Sequence, residues 1–193
     1  METHRAQIES GELVVLFLDE CHLLWGDVTG YVWGKTTERI EVGVVNERQR
    51  QTYFGALNYG TQEFLVKAYA QGNSEFTIEF LKYLQAHYPQ QRLAVFWDGA
   101  SYHRSAELKT YLQTVNQDLT EAAWAITCTR FAPNAPEQNP VEDVWLQAKR
   151  FIRGCYHLCK SFAVVQFLFE FVTHRQVFDF PKLSMYGTFS SIT

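Results

Sequence analysis

Two short runs constrain this chain most: Leu13-Val14-Val15-Leu16-Phe17-Leu18 and Leu93-Ala94-Val95-Phe96-Trp97, each passing directly into an acid, Asp19 and Asp98. Every residue of both runs is apolar, the pattern of strands covered on both faces. A carboxylate is costly inside such a layer, so each acid marks the point where its strand emerges. In open α/β sheets, ligands bind outside the strand ends. If the two strands are neighbours, their terminal carboxylates raise each other's pKa unless a cation lies between them. Hard divalent cations accept oxygen ligands of this kind. Taken singly, each acid is equally well a residue that turns the chain at a strand end.

The remaining pattern supplies the layers. Thr52 to Leu57 and Glu63 to Ala70 read as strands around the turn signal Asn58-Tyr59-Gly60. From Ser74, a candidate N-cap, Phe76, Phe80, Leu81 and Leu84 recur at helical spacing until Pro89. Ser105 to Val115 reads as helix, Ala123 to Thr129 as strand and Phe131 to Pro136 as loop. Pro140 to about Gly154 and Ser161 to Gln176 read as two further helices. Tyr31 to Val45 reads as a hairpin or irregular excursion. Strand, two strands, helix, strand, helix, strand, helix, helix is an α/β order. Its connections match a ribonuclease-H-like mixed sheet, three antiparallel strands and then parallel ones, flanked by helices. We expect a lead-in over residues 1–12, one catalytic domain over 13–180 and a C-terminal tail over 181–193.

The third acid lies in Gln138-Asn139-Pro140-Val141-Glu142-Asp143-Val144-Trp145. Asn139 suits an N-cap, Pro140 the first helical position, and Glu142 then falls at N3. That is also the spacing of a capping box, which would by itself account for Glu142. Val141, Val144, Trp145, Ala148, Phe151 and Ile152 form the apolar stripe of this helix. At roughly 100° per residue, Glu142, Lys149 and Arg153 fall within about 20° of a common line, and Arg150 lies about 80° away. One helix edge thus carries a carboxylate and then two cations, an arrangement suited to holding a metal and gripping a phosphate chain.

Charge bears on that reading. The chain has 193 residues and a net charge of −4. Residues 1–129 hold 10 Lys and Arg against 16 Asp and Glu, and residues 130–193 hold 7 against 5. The basic run Lys149, Arg150, Arg153, Lys160 is either a polyanion footprint or a solvated helix face. Four cysteines make no disulfide scaffold, and Cys155-x-His157-x-Cys159 lacks the second couple a zinc site needs. Met-Glu-Thr-His-Arg has neither a basic n-region nor an apolar h-region, and Leu13 to Leu18 is far short of the roughly 20 residues of a membrane span. A cytoplasmic domain with no membrane partner is expected.

Phe17-Leu18-Asp19-Glu20, Trp97-Asp98-Gly99-Ala100-Ser101-Tyr102-His103, and Ala132-Pro133 through Pro136-Glu137-Gln138-Asn139-Pro140-Val141-Glu142-Asp143-Val144-Trp145 together resemble the DDE endonuclease domain of mariner-type transposases, most closely their bacterial insertion-sequence branch. The resemblance covers residues 13–153. It implies a catalytic triad of Asp19, Asp98 and Glu142, holding two Mg²⁺ or Mn²⁺ ions. The implied chemistry is DNA strand cleavage and strand transfer by in-line phosphodiester attack. It further implies DNA partners (element ends and target), a homodimer in the active complex, and a nucleoid-associated location. The 43 residues between Asp98 and Glu142 exceed the spacing of many members of the branch. The helix-turn-helix modules that begin full transposases are absent before Leu13, so a separate N-terminal DNA-binding part is a possible partner. A ribonuclease-H-like nuclease without a transposition role, and a catalytically silent DNA-binding or assembly remnant, are the alternatives.

Other residues are read singly or with alternatives. His103 touches a phosphate, orients a metal ligand or makes a structural hydrogen bond. Glu20 reaches the metal through water or lies on the surface beside the site. Asn139 caps the helix and so aims Glu142. Lys149, Arg153 and Arg150 are the candidate DNA contacts. Trp145 belongs to the core. Phe162, Val165, Phe169 and Val172, widened by Phe167 and Phe171, pack the core or form a dimer contact.

Overall fold

The computed structural model describes residues 4–29, 35, 37, 49–132 and 138–186. Its central strand, β1 (Leu13–Leu24), is twice as long as the apolar run that announces it. The strand does not stop at Asp19, because Cys21 and Leu23 continue the buried alternation and β2 (Arg50–Asn58) pairs with it antiparallel as far as Leu24 opposite Arg50. Asp19 is therefore a mid-strand residue, facing Gly55 across the ladder. On the other side of β1, the parallel ladder with β4 (Arg92–Trp97) ends at Phe17 opposite Phe96. The emergence expected of Asp19 is real on that side alone.

β3 (Phe64–Tyr69) extends the antiparallel half, and β5 (Ile126–Arg130) pairs parallel with β4. Among the described residues the strands form one five-stranded sheet in the order β3-β2-β1-β4-β5. This is the mixed ribonuclease-H-like sheet read from the sequence.

Helices cover both faces. In chain order they are α1 (Arg5–Glu9), α2 (Ser74–His87), α3 (Ala106–Val115), α4 (Val141–Gly154) and α5 (Phe162–His174). Period-two alternation sorts β1 between two cores. Val14, Leu16 and Leu18 face α2 and α3 with Phe80, Leu81, Leu84 and Leu108. Val15, Phe17, Cys21 and Leu23 face α4 and α5 with Val144, Trp145, Ala148, Val165 and Phe169. Asp19 shares parity with the second set and Glu20 with the first, so the two adjacent acids address opposite faces of the sheet.

Beyond the strand ends, two helix caps differ from the sequence reading, and the segment after Phe180 is described in part. Asn73, not Ser74, caps α2: its side chain accepts from the Phe76 N–H at 2.9 Å. Pro140 already has helical dihedrals and occupies the cap position of α4, one residue later than expected. Residues 181–186, assigned to a tail, form a 3-10 turn whose Leu183 is buried in the α4/α5 core. Most of the Tyr31 to Val45 excursion and residues 133–137 of the proline-rich loop lie outside the described residues.

Candidate active site

Each of the three predicted acids is placed by a different element. Asp19 lies within β1, paired across the ladder with Gly55, and its Oδ2 accepts a hydrogen bond of 3.0 Å from the Trp145 indole Nε1. Trp145 reaches it by crossing β2 at Gly55, where a Cβ would lie 2.5 Å from Phe64 Cζ and 2.6 Å from Trp145 Cη2. The glycine clears the space in which the indole lies. Sequence reading assigned Trp145 to the core, which it is, but missed the tether. An isolated glycine inside a strand pattern is the signal of close approach that could have found it.

Asp98 follows β4 directly. Its Oδ1 accepts from the Ala100 N–H at 2.9 Å and from His103 Nδ1 at 3.0 Å. Glu142 lies in the first turn of α4. The start of that helix is pinned to β1 by Asn139: its Nδ2 donates to the Leu18 carbonyl at 2.9 Å, just past the end of the β4 ladder, and its Oδ1 accepts from the Val141 N–H at 3.1 Å. The reciprocal half of a capping box, from the Asn139 N–H to the Glu142 carboxylate, is not among the hydrogen bonds of the described residues.

The electrostatics couple the three. Burial pushes the Asp19 carboxyl well above the usual range, and the charges of Glu20, Glu142 and Asp98 push it further, against the Trp145 hydrogen bond. Asp98 is held below its usual range, chiefly by the His103 hydrogen bond, with the Ala100 N–H and the His103 charge adding to it and burial opposing. Oxygen donors that repel one another around a buried carboxyl fit a hard divalent cation, whose charge would reverse the local pKa logic.

A second cluster was only partly foreseen. Glu20, Asp98 and His103 bring ligand atoms to within 4.8 Å of one another. The triad Asp19, Asp98 and Glu142 is not such a group among the described residues. The Glu20 side chain is 5% exposed and that of His103 0%, so Glu20 is not the surface residue one of its readings made it. His103 Nε2 lies 3.3 Å from Glu20 Oε1, and the imidazole is stacked on Trp97 at 4.3 Å. Burial draws its pKa down, but the hydrogen bonds to Asp98 and Glu20 outweigh that and carry it up to about 9. With both ring nitrogens on carboxylates and no exposed surface, His103 has no face toward a DNA backbone.

The helix-edge cations are also engaged. Lys149 Nζ lies 3.2 Å from Asp27 Oδ2, and Arg153 Nε donates to the Asp27 carbonyl at 3.3 Å. Asp27, in the 3-10 turn after β1, was not singled out from the sequence. Arg150 is exposed. All four cysteines are free thiols, and burial pushes that of Cys21 up to about 12.

A family model described as DDE superfamily endonuclease matches residues 14–161. No curated protein matches. Among solved structures, a chain of the cryo-EM structure of the simian T-cell lymphotropic virus intasome in complex with PP2A regulatory subunit B56 gamma is similar, with a TM-score of 0.54 and 11% identity. The alignment covers 80% of this chain and 46% of that one, so this chain spans less than half the length of that relative. The likeness is one of fold.

Proposed function

The chain belongs to the DDE superfamily endonucleases, and from that premise we propose that it is the catalytic domain of a mariner-type, insertion-sequence transposase. It cleaves DNA strands and joins the resulting 3′-hydroxyl ends to target DNA, both by in-line attack at a phosphodiester. One observation carries the reading: the family match over residues 14–161 spans three carboxylates, Asp19 on β1, Asp98 directly after β4 and Glu142 in the first turn of α4, the last pinned to β1 through Asn139.

Asp19, Asp98 and Glu142 would hold the divalent ions, Mg²⁺ or Mn²⁺. Bound there, such ions supply Lewis-acid activation of the attacking oxygen and stabilisation of the leaving one. The chain's own residues supply the placement. Trp145 holds the Asp19 carboxylate toward α4. Asn139 sets the start of α4 against β1 and so aims Glu142. Arg150, with Lys149 and Arg153 once these leave Asp27, are the α4 residues placed to meet phosphates. DNA is the substrate, and a homodimer forms the active complex, near the nucleoid.

The test is cleavage and joining of end-bearing oligonucleotides with Mg²⁺ or Mn²⁺. Wild type should cut, and Asp98→Asn should retain the fold and lose cleavage; undiminished metal-dependent cleavage by that variant overturns the assignment. Cleavage without any joining of 3′-OH ends would instead identify a nuclease without a transposition role.

A further inference from the structure

The Glu20–His103 pair lies outside the triad, and its chemistry is unusually committed. Two carboxylates flank one imidazole, so both ring nitrogens must donate. The ring is fixed a third way by near-parallel stacking on Trp97, with an interplanar angle of 5°, and a fourth by the Tyr102 ring edge at 4.7 Å. Its own backbone N–H closes a turn on the Ala100 carbonyl at 3.1 Å. Glu20 in turn approaches from the α2/α3 face of the sheet, opposite to the face of Asp19.

Asp98 is the reverse case. It follows the last residue of β4, outside any ladder, and its side chain is 54% exposed. Left to its loop, that carboxylate would sample several rotamers. The contacts fall on one oxygen only: Oδ1 takes both the Ala100 N–H and His103 Nδ1. Oδ2 carries no hydrogen bond among the described residues.

We propose that Glu20 and His103 are a positioning pair for Asp98: the buried imidazole, anchored by Glu20 and Trp97, fixes Oδ1 and so presents Oδ2 to the site. The pair does not itself ligate the ions. Its donors point at carboxylates, and it reaches Asp98 from behind the sheet. The proposal rests on the reading of Asp98 as a metal ligand.

The test measures Mn²⁺ affinity of the full chain by electron paramagnetic resonance, beside the metal dependence of cleavage, for wild type, His103→Ala, Glu20→Gln and Asp98→Asn. Partners that orient a metal ligand typically contribute 10–100-fold in affinity. His103→Ala should lose about that much, and Glu20→Gln, nearly isosteric, should weaken binding several-fold. Both should regain cleavage at saturating Mn²⁺, whereas Asp98→Asn should not at any concentration. A merely structural histidine would not give that metal rescue. If Asp98→Asn loses Mn²⁺ while His103→Ala and Glu20→Gln keep wild-type affinity, the positioning proposal alone falls. If Asp98→Asn binds Mn²⁺ as wild type does, the metal-site reading falls and the proposal with it. Should His103→Ala fail to fold, unchanged affinity in Glu20→Gln suffices to overturn it.

Discussion

Gly55→Ala is the most searching perturbation of the site, because it adds one methyl group and alters none of the three acids. The new Cβ would meet Phe64 Cζ at 2.5 Å and Trp145 Cη2 and Cζ2 at 2.6 Å, where ordinary contact begins at 3.4 Å. Two buried rings must therefore each give by nearly 1 Å. Overpacking of this kind costs about 1–3 kcal/mol. Replacing a strand glycine returns roughly 0.5–1 kcal/mol through the unfolded state. The net is a loss of up to about 2.5 kcal/mol, about 1 kcal/mol at mid-range, and for a domain of this size each kcal/mol lowers Tm by about 2–4 °C. Urea denaturation should show a lower midpoint at unchanged slope. The displaced indole also loosens its 3.0 Å bond to Asp19, so Mn²⁺ affinity should fall with stability. Trp145→Phe shortens the ring that blocks the methyl, so a double-mutant cycle should return a coupling of about 0.5 kcal/mol or more. A Gly55→Ala protein as stable as wild type, with unaltered Mn²⁺ binding, would refute the claim that this glycine exists to admit Trp145.

Asp19 has a raised pKa, so in metal-free protein its contribution to stability is present below the ordinary carboxylate range and is lost as pH rises through the folded value. Asp19→Asn should accordingly raise Tm without metal at pH 7.5 and abolish the upward shift that Mn²⁺ gives wild type, about 2.7 kcal/mol at 100 times Kd; a lower metal-free Tm would contradict this. Lys149→Ala with Arg153→Ala should weaken DNA binding and lower the salt slope by about 1 for each phosphate no longer neutralised, and an unchanged slope, read by fluorescence anisotropy, would limit both cations to bracing Asp27. Burial pushes Tyr69, Tyr88 and Tyr111 up to about 12. Stability from holding them neutral is intact below pH of about 10 and lost between about 10 and 12, where phenolate absorbance at about 295 nm should appear together with unfolding; complete ionisation near pH 10.5 in still-folded protein would refute it.

The sheet was legible because its two central runs are apolar on every residue, which only a doubly covered strand requires. The extension of β1 to Leu24 was not, since a charged pair interrupts the pattern and only the ladder with β2 reveals that the backbone stays paired beyond it. Of the proposed site, Asp19, Asp98 and Glu142 are named from apolar runs, a helix start and motif, although Asp19 lies within its strand and not at its end. What sequence cannot supply is side-chain company across long separations. Trp145 looks like any apolar-stripe residue until the opposing Gly55 is known. Glu20 looks exposed because it follows an acid, whereas parity sends it to the other face, onto His103. Lys149 and Arg153 read as free cations because Asp27 is more than a hundred residues away.

The Trp145–Asp19 contact also sets a clock. Its partners are 126 residues apart in the chain, which at about 5–20 residues per second is roughly 6–25 s of ribosomal synthesis. Through nearly all of that interval Asp19 has been made, yet neither Glu142 nor Trp145 has. A nascent chain therefore does not bring Asp19, Trp145 and Glu142 together until α4 is made, and a fragment ending before α4 lacks two of those three residues.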